Sequence, residues 1–341
     1  MRYGKFLERN GVIAVTAPSY GAGIEPYISR FSSAEGFFRG EGFRVIVGET
    51  CHKTDGIGIS TDPATCGREL TDFYCSADND MIISAGGGEL MCETIDHVDW
   101  DRIRKAPPKW YLGYSDNTNM TFLLPTICDT AAIYGECFSA FGRKPMDAPM
   151  RDLVKLLKGE TLSVHSYDKW EKPGADPACD PLSAPSCTED TLISSFNWNG
   201  LPFGGRMIGG CLDILTMYPG TKFDRVKDFI DRYKDDGIVW FLEACDFNVY
   251  GIRRALWILK HAGWFENARG FLFGRPLCMG QETFDGLNQY NAVLDVLEDL
   301  DVPILMDLDI GHVAPQMPMI SGAVGTVYRC RDRVEIGFEL R

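Results

Sequence analysis

Five short apolar runs, separated by helix-like segments, constrain this chain more than any other feature. "GVIAVTAPS" (11–19), "FRVIVGE" (43–49), "DMIISAGGG" (80–88), "KWYLGYS" (109–115) and "AAIYGE" (131–136) are near-continuously apolar. Runs of this kind are expected of strands buried on both faces of a parallel sheet. Segments such as "YISRFSSAEGFFRGEG" (27–42) read as the intervening helices. The alternation predicts a doubly wound, Rossmann-like α/β domain whose ligands sit beyond the carboxyl ends of the strands.

From about residue 165 the character changes. "SYDKWEKPGADPACDPLSAPSCTED" carries four prolines, several acids and no periodicity. It reads as a long surface excursion, and such loops often serve as functional lids. Beyond it, "GRMIGGCLDILTMY", "GIVWFLEACD", several short β-like runs and one clear helix form a second, smaller domain. That helix, "IRRALWILKHAG" (252–263), keeps apolar residues at helical spacing and stops at Gly263. The expected organisation is an α/β domain over 1–164, a linker and specificity loop over 165–200, and a β-rich domain over 201–341.

Composition narrows the partners. With 48 acidic against 34 basic residues and a formal charge of −14, the surface repels phosphate backbones and excludes a nucleic-acid partner. No apolar stretch approaches the roughly 18 residues of a membrane helix, so no membrane partner is expected. The start, "MRYGKFLERNG", has no apolar signal core, which points to the cytoplasm. Twelve cysteines are spread from Cys51 to Cys330 without a C-x-x-C pair, so reduced and mostly buried thiols are expected. "TCH" (50–52) fits no common zinc spacing; neither a metal nor a cofactor is expected.

Three stretches could carry chemistry. "SYGAGIEPY" lacks the third glycine of a dinucleotide fingerprint and reads as a strand-to-helix turn. "AGGGEL" (85–90) ends an apolar strand. It is either a tight turn or, through Gly87 and Gly88, a source of backbone N–H groups for an oxyanion. In "YLGYSDNTNM" (111–120), Ser115 sits where a strand hands over to a helix, the place of a nucleophile elbow. The glycine ending the usual G-x-S-x-G motif is replaced by Asn117, a residue type that tolerates left-handed backbone. On spacing alone, Ser115 as only the helix N-cap is the stronger reading. Of five histidines, His312 in "DIGHVAPQ" follows an apolar run and is well placed as a base. Glu243 ends the run "GIVWFLE", and a carboxylate there must be paired, with Arg253, Arg254 or a histidine ring.

Taken together, these stretches resemble the LD-carboxypeptidase family of serine peptidases, which includes the microcin C immunity peptidases. The likeness rests on "VIAVTAPSYG", "IISAGGGELMCETID", "YLGYSDNT", "MIGGCLDILTMYPGT", "WFLEACDFNVYGIRRAL" and "DIGHVAPQMPMISGA", in that order over nearly the whole chain. It implies an α/β nucleophile domain, a β-rich C-terminal domain, and a triad of Ser115, His312 and Glu243. It further implies an oxyanion hole from the Asp116 N–H and a glycine of the 86–88 turn, helix capping as a by-product of the Ser115 turn, and a homodimer. Two positions depart from the family pattern: Ala85 stands in place of an arginine, and Cys211 in place of an asparagine. Chain length and the tryptophan-bearing excursion look more like the microcin immunity branch, which cleaves an aminoacyl or peptidyl group from a sulfamoyl nucleotide. Trp198 and Trp170 are the expected substrate-binding rings there. A muramoyltetrapeptide carboxypeptidase, or a non-catalytic small-molecule binder, are the alternatives.

Overall fold

The computed structural model describes residues 1–172, 180–281, 283 and 285–341. It separates into two compact units, Met1–Leu162 with Asp176–Pro185, and Ser163–Ala175 with Ser186–Arg341.

In the first unit the five apolar runs form strands β1 (Val12–Thr16), β2 (Arg44–Val47), β3 (Met81–Ser84), β4 (Trp110–Gly113) and β5 (Ala132–Tyr134). They run parallel in the order β2-β1-β3-β4-β5. β1, β3, β4 and β5 are buried at every position. The edge strand β2 departs from the expectation of two buried faces, with Arg44 exposed and Val45–Val47 only half-buried. Strand order reverses between β1 and β3, and in a doubly wound sheet the crevice at that reversal is where ligands bind. Helix α1 (Tyr27–Gly40) follows β1 and buries Phe31, Ala34 and Phe38, spaced to one helical face.

The second unit is built on an eight-stranded mixed sheet. Its order is Ser163–His165, Arg333–Glu339, Val324–Cys330, Phe203–Cys211, Ile238–Glu243, Ala268–Gly274, Ile304–Leu308 and Ser194–Phe196. The four strands from Phe203–Cys211 to Ile304–Leu308 are parallel, and the flanking ones antiparallel. The helix over Val249–His261 packs its apolar face inward, and Gly263 lies just past its end at φ +79°, the left-handed position that favours glycine.

The 165–200 excursion is not the single irregular loop its composition suggested. Ser163–His165 and Ser194–Phe196 supply both outer strands of the second sheet, and Lys169–Trp170 pairs with Glu189–Asp190 in a small antiparallel ribbon. Backbone pairing orders these two- and three-residue pieces, which are too short and polar for periodicity to register. Residues 173–179 of that stretch lie outside the described residues. Among the described residues no helix is long and apolar enough to cross a membrane.

Candidate active site

Three loops meet at the carboxyl edge of the first sheet. Ser115 begins a short 3₁₀ turn directly after β4, with φ +62°. A left-handed backbone at a non-glycine residue costs of order 1–3 kcal/mol and gathers at functional sites. Asn117, the residue expected to carry the unusual backbone, is right-handed at φ −66°. Its side chain instead fastens the turn. Nδ2 donates to Gly86 O at 2.8 Å and Tyr114 O at 3.2 Å, and Oδ1 accepts from the Tyr111 hydroxyl. A Cβ on Gly113 would come within 2.7 Å of the Asn117 carboxamide carbon, so this pair replaces the usual glycine at the end of the elbow. Helix capping is also corrected. Tyr114, not Ser115, holds the N-cap position, and no side chain caps the turn. The Ser115 N–H donates to the Tyr134 hydroxyl at 3.2 Å.

The glycine turn packs against the serine. A Cβ on Gly87 would sit 3.2 Å from Ser115 Cβ and 3.4 Å from Oγ, so a side chain there would occupy the space in front of the hydroxyl. Gly88 has φ +151°, and a Cβ on it would lie 2.0 Å from Ser19 Oγ. The Gly87 carbonyl accepts from Tyr20 N–H at 2.8 Å. Asp116 is fully buried, its carboxylate accepting from Ser19 Oγ, from Met91 N–H at 2.9 Å and from Asn119 Nδ2 at 2.9 Å. That side chain is committed to the scaffold, which leaves the backbone N–H as the group Asp116 can offer. Ala85, where the resemblance implied an arginine, is buried, with its carbonyl accepting from Ser139 Oγ at 2.9 Å.

In the second unit Glu243 ends the central strand and is buried. Its Oε2 lies 2.9 Å from His312 Nδ1. A carboxylate only accepts, so Nδ1 carries the proton and Nε2 is the basic nitrogen. Burial alone would push the imidazole pKa below 6.5; the charge of Glu243, aided by hydrogen bonding to Cys245, outweighs burial and holds it well above. Arg253, one of the alternative partners for Glu243, pairs instead with Asp295 at 2.7 Å.

The loop bearing His312 is held close by two glycines. A Cβ on Gly274 would meet Ile310 O at 1.8 Å, and one on Gly311, at φ +98°, would meet the Glu243 carboxyl carbon at 2.6 Å. Gly311→Ala is therefore expected to lower stability by about 2 kcal/mol or more, from backbone strain and overpacking together. A denaturant midpoint equal to that of the parent protein would show that the loop yields freely.

Sequence reasoning missed Asp213. Its carboxylate accepts from three successive backbone N–H groups, of Cys245, Asp246 and Phe247, each at 3.0 Å, and so shapes the chain just after Glu243. The available signal was an acid two residues past the strand ending in Cys211. Cys211 pairs in register with Glu243 and directs its buried thiol to Asp213 at 3.3 Å. The two tryptophans are engaged within their own unit. Trp170 donates to Asp190 O at 3.1 Å, with Arg275 over its ring at 5.3 Å. Trp198 donates to Leu201 O at 2.8 Å, with Arg329 over its ring at 5.2 Å.

A glycine turn beside a serine elbow in one unit, and a carboxylate-bound histidine in the other, are groups of the kinds that serine hydrolases use. Residues 13–135 match the LD-carboxypeptidase N-terminal domain and residues 204–327 the LD-carboxypeptidase C-terminal domain, and the chain belongs to the LD-carboxypeptidase family. It is accordingly a serine-type carboxypeptidase or related hydrolase. The chain is 23% identical over 304 residues to the microcin C7 self-immunity protein MccF of Escherichia coli, covering 86% of this chain and 84% of that one. Among solved structures, an MccF-like protein from Bacillus anthracis gives a TM-score of 0.84 at 19% identity, over 99% of this chain and 100% of the other. MccF in complex with glutamyl sulfamoyl guanosine gives 0.80 at 18% identity, over 99% and 98%. Both likenesses bear on the fold.

Proposed function

We propose that the protein hydrolyses the amide bond between an aminoacyl or peptidyl carboxyl group and a sulfamoyl nucleotide, through a Ser115–His312–Glu243 triad. The observation that carries this reading is the 2.9 Å hydrogen bond from His312 Nδ1 to the buried Glu243 carboxylate, which fixes the tautomer a general base needs. His312 Nε2 takes the proton from Ser115 as its hydroxyl oxygen attacks the carbonyl carbon. The Asp116 N–H, with Gly87 or Gly88, receives the oxyanion. Collapse of the tetrahedral intermediate expels the leaving nitrogen, protonated by His312, and leaves an acyl-enzyme. Water, deprotonated by His312, then releases the acid. No step uses a metal or cofactor. The resemblance also implies that the enzyme works as a homodimer, and a cytoplasmic location is proposed with it.

The substrate side of the reading is supported by the relative captured with glutamyl sulfamoyl guanosine. The matched domains are equally those of LD-carboxypeptidases, so the test is a hydrolysis panel of aminoacyl sulfamoyl adenylates against muramoyl tetrapeptides. Preferential release of the amino acid from the adenylates is expected. Preferential loss of the terminal D-residue from the tetrapeptide would transfer the assignment to cell-wall peptides. A reactive serine probe that left Ser115 unlabelled would favour a non-catalytic binder.

Trp198 is proposed to stack on the nucleotide base, with Trp170 as a second candidate. Base stacking is worth roughly 1–3 kcal/mol per ring, so Trp198→Ala should weaken nucleotide substrates about tenfold or more and a base-free peptide far less. An equal loss on both, or a collapse of the melting temperature, would assign the ring to the scaffold, where its contacts with Leu201 and Arg329 already place part of it.

A further inference from the structure

Arg30 stands where stability alone would not put it. It lies in the first turn of α1, the end of a helix at which the macrodipole disfavours a cation. Its Nε donates to Pro181 O at 2.6 Å. Among the described residues nothing takes the two terminal nitrogens. A second guanidinium is its neighbour. A Cβ on Gly142 would lie 1.9 Å from the Arg30 carbonyl oxygen, so the segment leading into Arg143 runs directly against α1. Burial and the Arg143 charge both press the Arg30 pKa down from 12.5. Arg143 is neutralised by Glu136, 2.7 Å away and two residues beyond β5; among the described residues Arg30 has no ion pair of that kind, and the Glu136 charge reaches it only at longer range.

Arg143 is thus balanced by two carboxylate charges, Glu136 and Asp147, while Arg30 carries its charge without an ion pair among the described residues, on a chain whose formal charge is −14. Arg30 and the Ser115 turn share the Glu136 charge. The Glu136 charge, with burial, holds the phenol of Tyr114 well above its usual 10, which places the residue before Ser115 in the same electrostatic group. Tyr114 follows β4, Glu136 follows β5, and α1 opens after the β1 loop, so the cluster belongs to the carboxyl edge of the sheet, where such folds bind ligands.

We propose that Arg30, backed by the Arg143–Glu136 pair, is the specificity site that receives a free carboxylate of the substrate. The inference rests on the hydrolase reading above. A carboxylate suits the geometry because the two unengaged nitrogens of a fixed guanidinium match its two oxygens. It can come from the carboxyl terminus of a peptide or from an acidic aminoacyl side chain, and two probe pairs separate these sources.

Binding is measured by calorimetry on the full-length Ser115→Ala protein, so that nothing is cleaved. The first pair is acetyl-L-lysyl-D-alanine and its C-terminal amide; the second is glutamyl and glutaminyl sulfamoyl adenosine. In one pair the acid form should bind at least about tenfold more tightly, a gap that one charge-assisted hydrogen bond can supply. Arg30→Gln should abolish that preference without changing the affinity of the neutral member, and Arg30→Lys should restore part of it. A preference that survives Arg30→Gln, or no preference in either pair, overturns the proposal. The hydrolase reading is judged separately, by whether the parent enzyme turns over glutamyl sulfamoyl adenosine and the Ser115→Ala protein does not.

Discussion

Ser115→Ala is expected to remove hydrolysis almost entirely, by about 10⁶-fold as in other serine triads, while the melting temperature stays close to that of the parent. The substitution deletes one oxygen and keeps the Cβ, so the turn at φ +62° carries the same strain with either residue. A companion variant sharpens the result. Ser115→Gly is equally inactive on this reading, yet it should be more stable by about 1 kcal/mol, because glycine accepts positive φ without penalty. Strain at Ser115 predicts the gain in stability whatever its role, and the triad predicts the loss of activity; a serine with only a structural role predicts no loss of activity in either variant. Turnover near the parent level in Ser115→Ala would end the triad reading.

Glu243→Gln should lower turnover by about 10⁴-fold, the size of the analogous loss in a Ser–His–Asp enzyme. The amide keeps the volume beside Gly311, so the loop can stay in place. An amide can also donate, which lets the imidazole take the tautomer with Nε2 protonated and useless as a base. The pH dependence carries a second signature. His312 acts as a base only when neutral, and its pKa is held well above 6.5, so kcat/KM of the parent should rise with pH through that raised value. With the Glu243 charge gone, the inflection should move to lower pH. Stability should mirror this. Protonated His312 against Glu243 contributes stability that is fully present below about pH 6.5 and fades as pH climbs through the folded-state pKa; Glu243→Gln should lack that component. Melting curves across pH and a kcat/KM profile read both effects. Unchanged turnover with a lowered melting temperature would make Glu243 a purely structural partner.

The parallel sheet was legible because each strand is a run of apolar residues bounded by turn formers, and burial on two faces leaves no other use for such a run. Glu243 and His312 were legible by position, since each follows an apolar run and a polar group delivered there needs a partner. The backbone of the Ser115 turn was not. Nothing in "GYSDN" tells which residue is left-handed, and the tolerant asparagine proved to be the clamp while serine took the strain. Asp213 and Arg30 escaped notice for a related reason. The roles of both depend on what lies across from them, three N–H groups for one and a second guanidinium for the other, and no local pattern reports that.

The outer strands of the eight-stranded sheet are Ser163–His165 and Ser194–Phe196, both upstream of the strand that begins the parallel block at Phe203. A polypeptide cut at the apparent domain start, residue 201, would therefore keep every buried strand and lose both of its guards. Arg333–Glu339 and Ile304–Leu308 would then each present a row of unpaired backbone groups. Such open rims recruit strands from other molecules. The segment that looks in composition like a dispensable linker thus protects the sheet from its own kind, and shortening it would trade a folded unit for a self-associating one.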